Sequence, residues 1–208
     1  MSSDQYRKEQ LAELVEGTTG IQTGRRIVHA TTGTVIFLVI TQMELTTSLA
    51  VTSLAVIFFV LLSSDLLRLR LPQLNILFFR IFQLLVSPRE SQKIASSTWY
   101  ILGALIAILL FPLPAALSGI LVLAYADPTA SYFGRRWGRH PFLGGTVEGT
   151  LAFLTVAALI LSIRHPLYIS IPSAFLIAIV ERVAWPVDDN LILAPACAGI
   201  LTLSDLLV

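Results

Sequence analysis

Between residues 125 and 154 the chain reads YADPTASYFGRRWGRHPFLGGTVEGTLAFL. This places Asp127, then Gly134, Arg135, Arg136, Gly138 and Arg139, then Thr146 and Glu148, between two apolar segments. Guanidinium forks match phosphate oxygens, and glycines let backbone N–H groups come close to them. A carboxylate at the end of an apolar segment is costly and usually functional. Gly134 follows Asp127 by seven residues and so lies near the same face of a helix. A plainer reading exists for each part. Asp127 is a good N-cap with Pro128 as a first helical residue, the arginines suit a positive-inside loop, and Thr146 can cap a helix whose first turn holds Glu148. The stretch is not a Walker A loop, because no Gly-Lys-Ser/Thr occurs.

Three further clusters carry chemistry. In GRRIVHATTG, Arg25 and Arg26 precede His29, and Gly33 leaves room one turn above it. In SSDLLRLRLPQLN, Asp65 and Arg68 are three apart and can pair. In ERVAWPVDDNLILAP, Glu181 is followed by Asp188, Asp189 and Asn190. Clustered carboxylates and an amide suit Mg²⁺, which takes oxygen ligands and often bridges substrate phosphates.

The elements that position these groups belong to a membrane protein. The 208 residues are 55% hydrophobic and 13% charged, with a mean hydropathy of +0.80; a soluble domain carries roughly a quarter charged residues. The net charge of +1 leaves no footprint for nucleic acid, and the single cysteine, Cys197, excludes a disulfide framework or a thiolate metal site. Apolar runs long enough for about 30 Å of hydrocarbon predict an all-α, polytopic bundle of about seven transmembrane helices. They lie near Ile27–Met43, Leu45–Leu67, Ser97–Phe111, Leu113–Tyr125, Thr150–Ile163, Leu167–Val183 and Leu191–Val208. Residues 1–24 form a polar N-terminal segment, too charged for a signal peptide, and residues 25–208 the membrane-embedded domain. Residues 74–86 read either as an interfacial stretch or as a short extra helix. Seven spans with the N-terminus inside put thirteen of the fourteen Lys and Arg residues on the cytoplasmic side, Arg164 alone falling outside. The same split puts nearly every unusual ionisable group on that face.

Arginines, carboxylates and a histidine on one membrane face are what phosphoryl transfer to a lipid alcohol requires. RRIVHATTG, DLLRLRLPQLN, RESQKIASSTWYILG, ADPTASYFGRRWGRHPF, GGTVEGTLAF and ERVAWPVDDNLILAP also follow the order and spacing of a known family. From about Arg25 to Pro195 the chain resembles the CTP-dependent lipid-alcohol kinases: dolichol kinase, phytol kinase and the CTP-dependent diacylglycerol kinase of fungi. Asp-x-x-Ala-x-x-x-Gly with the following Glu-Gly-Thr is the most specific part. The resemblance implies CTP as donor, Mg²⁺ or a similar divalent cation, and a membrane alcohol as acceptor. Arg26 and His29 match its first motif, Asp127 and Gly134 the nucleotide motif, Glu148 the Glu-Gly motif, and Glu181, Asp189 and Asn190 the last. Two departures stand out. Ala126 replaces a Gly before the Asp, and Gly145 replaces a Lys before the Ser/Thr; either Arg139 or Arg136 substitutes for that Lys, or the donor preference differs.

The expected roles are therefore metal–nucleotide binding by Asp127, Asp189 and Glu181. Phosphate or nucleotide contact falls to Arg26, Gly134, Arg135, Arg136, Gly138, Arg139, Thr146 and Asn190. His29, Asp65, Glu148 or Asp127 is expected near the acceptor hydroxyl. The expected reaction is γ-phosphoryl transfer from CTP to a polyprenol-type alcohol. The alternatives are a diacylglycerol kinase, a lipid cytidylyltransferase and, outside enzymes, a small transporter or lipid-binding scaffold. The one-sided charge distribution disfavours the last.

Overall fold

The computed structural model describes residues 3–18, 23–183 and 185–206. Parts of the polar segment 1–24 (1, 2 and 19–22), and the last two residues of the final apolar run, lie outside them. Among the described residues are nine α-helices: α1 (Ser3–Glu16), α2 (Thr23–Gln42), α3 (Thr47–Arg70), α4 (Pro72–Phe82), α5 (Ser96–Leu110), α6 (Leu113–Trp137), α7 (Val147–Arg164), α8 (Leu167–Arg182) and α9 (Asp189–Leu206). A 3-10 turn at Pro88–Ser91 leads into α5, and a two-stranded hairpin, β1 (Pro141–Phe142) and β2 (Gly145–Thr146), joins α6 to α7.

Local chemistry sets most boundaries. Thr46 caps α3, its hydroxyl accepting from the Leu49 N–H at 3.3 Å. Leu71 is extended because Pro72 follows, and Pro72 opens α4. Residues 72–82 are thus a short extra helix. It packs against α1 and α3. Thr146 caps α7 through the Gly149 N–H at 3.1 Å. In the hairpin, Leu143 (φ 40°) and Gly144 (φ 78°) both take positive φ, the backbone of a two-residue type I′ turn.

α6 is the central helix. It packs on α2, α5, α7 and α9, and its buried face is mostly small: Ala115, Ala116, Gly119, Ala124, Ala126 and Ala130. A Cβ on Gly119 would strike the Ala194 carbonyl of α9, and one on Gly33 would strike the Tyr100 hydroxyl and Ala124. Small residues let backbones approach where lipid supplies no hydrophobic drive between helices. Large apolar side chains point outward instead, among them Phe59 and Val60 on α3 and Leu159 and Ile163 on α7.

Two expectations change. Among the described residues all seven apolar runs form helices, and four of these, α3, α6, α7 and α9, are both long and apolar enough to cross a membrane. α5 is apolar but short. α8 has 16 residues, a rise of about 24 Å, and α2 carries Arg25, Arg26, His29 and several threonines. The count of seven is therefore not established, nor is the sidedness built on it. Second, Asp127 and Pro128 do not begin a new helix. α6 runs unbroken through both. Proline at 128 withholds an N–H from the Ala124 carbonyl, and the helix persists there because Pro128 is buried between neighbouring helices.

Candidate active site

The unbroken course of α6 puts Asp127, Ser131 and Gly134 on one stripe, and that stripe lines a cleft of about 1260 Å³. Into the same cleft α2 brings Arg25, Arg26 and His29, the hairpin brings Gly145 and Thr146, and the α8–α9 junction brings Glu181, Arg182, Asp188 and Asp189. The lining also includes apolar side chains, Leu66 and Leu69 of α3, Ile94, and Trp99 of α5, together with Arg89, Glu90 and Lys93 of the segment before α5.

Several groups there have unspent bonding capacity. Arg26 donates through NH2 to the Ser131 carbonyl (3.3 Å) and hydroxyl (3.2 Å), while its Nε and NH1 are buried without a partner. His29 stacks edge-on against Tyr100 at 4.5 Å between centroids. Its Nε2 is buried without a hydrogen bond and lies 3.7 Å from Asp127 Oδ2. Asn190 donates to Asp188 Oδ1 at 2.6 Å and leaves its own Oδ1 buried and unanswered. Each orphaned atom of this kind costs free energy unless a ligand or water satisfies it. Burial, and then the neighbouring Asp189, push the Asp188 carboxyl up to about 6; burial likewise raises that of Glu90. Glu90 accepts from Ser96 at 3.1 Å, and Arg25 donates to the same hydroxyl at 2.8 Å.

This donor set fits a hard divalent cation. Asp127, Asp188 and Asp189 line one cleft, and Asn190 adds an unpartnered oxygen. Among the described residues no three His, Cys, Asp or Glu side chains already form a metal cluster. Mg²⁺ commonly takes one or two carboxylates and completes its shell with water and substrate phosphates.

Of the residues singled out from sequence, Arg26, His29, Asp127, Gly134, Arg135, Thr146, Glu181 and Asp189 line the cleft, with Asn190 buried behind Asp188. Glu181 has both carboxylate oxygens engaged by Arg182. Asp65, Arg136, Gly138, Arg139 and Glu148 are not on its walls. Glu148 pairs with His140 Nδ1 at 2.7 Å, and Arg136 and Arg139 are exposed. Gly134 and Gly149 serve helix contact: a Cβ on Gly149 would lie 3.0 Å from the Ala130 carbonyl and 3.3 Å from the Gly134 Cα. Gly138 is pressed against Thr146 in the same way. Asp65 is buried, accepting from Arg68 (2.7 Å), the Ala95 N–H (2.9 Å) and Thr98 (2.6 Å). Sequence reasoning left out Arg182, Glu90 and Ser131. Arg182 beside Glu181 at a helix end reads as a self-neutralising pair, and only the fold turns it inward.

No family model matches the chain, and no solved structure does. Curated relatives do. The CTP-dependent diacylglycerol kinase 1 of Schizosaccharomyces pombe is 34% identical over 80 residues, which is 38% of this chain and 36% of that protein. The protein of the same name in Saccharomyces cerevisiae is 28% identical over 105 residues, 49% of this chain and 36% of that one. An uncharacterized protein of Methanocaldococcus jannaschii is 34% identical over 113 residues, 50% of this chain and 56% of its own. The chain thus spans between about a third and just over half the length of these relatives. Over these stretches the chain is similar to the fungal CTP-dependent diacylglycerol kinases, in keeping with its resemblance to the CTP-dependent lipid kinases.

Proposed function

We propose that the chain transfers the γ-phosphoryl group of CTP to the hydroxyl of a membrane alcohol of the polyprenol type, at the cytoplasmic interface. One observation carries this reading. A single cleft is lined both by an arginine with unpartnered guanidinium nitrogens and clustered carboxylates and by the apolar side chains of Leu66, Leu69 and Trp99. Such a cleft suits a charged donor meeting an acceptor whose tail stays in lipid. Each buried CH₂ contributes about 0.8 kcal/mol, so a long tail remains anchored while its hydroxyl reaches the polar groups.

In this reading Arg26, fixed by Ser131, aims Nε and NH1 at phosphate oxygens, with Arg135 beside it. Asp127 and Asp189 would hold the divalent cation. When bound, that ion neutralises charge on the phosphates. The acceptor oxygen attacks the γ-phosphorus and forms the new O–P bond. The bond to the β–γ bridging oxygen breaks, and its electron pair leaves with CDP. His29, its Nε2 3.7 Å from Asp127, aligns the hydroxyl and receives its proton. Glu148 and Asp65 have other partners and support the fold around the site.

Diacylglycerol is the second acceptor to consider, favoured by the names of the two fungal relatives. The polar groups serve both alcohols, and the groove decides between them. The test is γ-labelled CTP with purified protein in mixed micelles and a panel of polyprenol, geranylgeraniol, diacylglycerol and glycerol. Label is expected in a polyprenol-type alcohol and not in glycerol. Label in diacylglycerol alone selects the second reading, and glycerol turning over at comparable kcat/KM contradicts both.

A further inference from the structure

Gly145 stands where the resemblance expects a lysine, and its backbone does not explain why. Of the two hairpin glycines only Gly144 has positive φ. What Gly145 supplies is space: a Cβ built on it would land on NH1 of Arg182. That guanidinium is fixed from its other edge, since Nε and NH2 both donate to the Glu181 carboxylate. Arg182 closes α8, where a cation commonly caps the helix carbonyls. Here its side-chain bonds go to Glu181 instead. Gly145, Glu181 and Arg182 all line the cleft that holds Asp127 and Asp189.

We infer that Arg182 is a phosphate-binding residue of this cleft, delivering from α8 the positive charge that residue 145 lacks. Gly145 is the notch that admits its guanidinium, and Glu181 is the positioning residue that orients it. This differs from a surface arginine filling the role: Arg136 and Arg139 are exposed and off the cleft walls, whereas Arg182 is partly buried on one. A bidentate carboxylate behind a guanidinium removes its rotational freedom, so less entropy is lost when a second anion binds. The inference rests on the reading that the cleft takes a nucleoside triphosphate, and its test separates the two.

The experiment is calorimetric titration of MgCTP, and separately of inorganic triphosphate, into purified full-length protein. The variants are Arg182→Ala, Gly145→Ala and the double variant Arg182→Ala/Gly145→Lys, each checked for an unchanged Tm. Arg182→Ala and Gly145→Ala are each expected to weaken both ligands by about tenfold or more, the scale of a lost charge-assisted contact. Gly145→Ala acts by displacing the end of a flexible side chain, so the fold survives. The lysine in the double variant is expected to recover most of the loss, which a purely structural role for Arg182 would not allow. Should Arg182→Ala fail to fold, Arg182→Lys and Gly145→Ala carry the same test. Wild-type affinity in folded Arg182→Ala, or no recovery by the lysine, overturns the inference. If triphosphate binding depends on Arg182 while no label reaches any lipid, the kinase reading falls and this inference stands. If label transfer is normal and Arg182→Ala binds like wild type, the reverse holds.

Discussion

Two long apolar helices each carry one carboxylate, and the two carboxylates live in opposite ways. Asp65 on α3 is fully answered. Arg68, a backbone N–H and Thr98 all donate to it, and Arg68 in turn ties down Asn75 and the carbonyls of Glu90 and Lys93. Asp127 on α6 sits among groups that are not answered: the Arg26 nitrogens, His29 Nε2 and, nearby, Asn190 Oδ1. A satisfied buried network holds one conformation, whereas clustered unsatisfied groups await a ligand. Asp65 fastens the segment between α4 and α5 to the bundle; Asp127 faces the open cleft.

That contrast can be broken by substitution. Asp127→Asn keeps the shape of the side chain and removes its charge, and kcat/KM is expected to fall by roughly 10³-fold or more with little change in Tm. Asp65→Ala should do the opposite. Removing one partner of a buried ion pair costs about 3–5 kcal/mol, so detergent melts should show a large drop in Tm, while the molecules that remain folded keep turnover within a few fold. His29→Gln should lower kcat by about 10²-fold, the scale of a lost proton acceptor, and flatten the pH–rate profile. Glu148→Gln, whose partner His140 lies off the cleft, should change kcat/KM by less than about tenfold.

The smallest effect concerns Glu90. Burial raises its carboxyl above the ordinary value, so the unfolded chain releases that proton more readily than the folded one. The stability tied to the protonated form is present at low pH and declines as pH climbs from the ordinary carboxylate range through the folded value. Glu90→Gln lacks this decline. Its Tm should exceed wild type by about 2 °C at pH 8 and match it near pH 4; an equal gap at both pH values would mean that the glutamate's charge is not what matters.

The helical architecture was legible because long apolar runs bounded by Pro, Thr and Gly leave few alternatives. The same signal misread α6. Asp127-Pro128 has the composition of a helix start, and nothing local reveals that neighbouring helices hold the proline inside a continuous helix. The crossing number is less legible for a related reason: α3, α6, α7 and α9 combine length with high hydropathy, whereas α8 is short and α2 carries charge. In the site, Arg26, His29, Asp127 and Asp189 could be picked out because charges are rare in this chain. Arg182 could not, since its place against Gly145, thirty-seven residues earlier in the chain, is set by packing. Gly134 and Gly138 read as glycines that let the backbone approach phosphates; that a Cβ on either would also press on Thr146 is a contact that only packing supplies.

Transfer of the γ-phosphoryl group at the Asp127 cleft can be followed with CTP labelled in parallel at the α and γ positions. Purified wild type, Asp127→Asn and Asp65→Asn are incubated with Mg²⁺ and a micellar polyprenol, and label in the lipid and the released nucleotide are followed at matched amounts of folded protein. Expected are γ-label alone in the lipid, CDP released in equal amount, near-normal transfer by Asp65→Asn and none by Asp127→Asn. Appearance of α-label in the lipid with release of pyrophosphate, or undiminished transfer by Asp127→Asn, would contradict γ-phosphoryl transfer at that cleft.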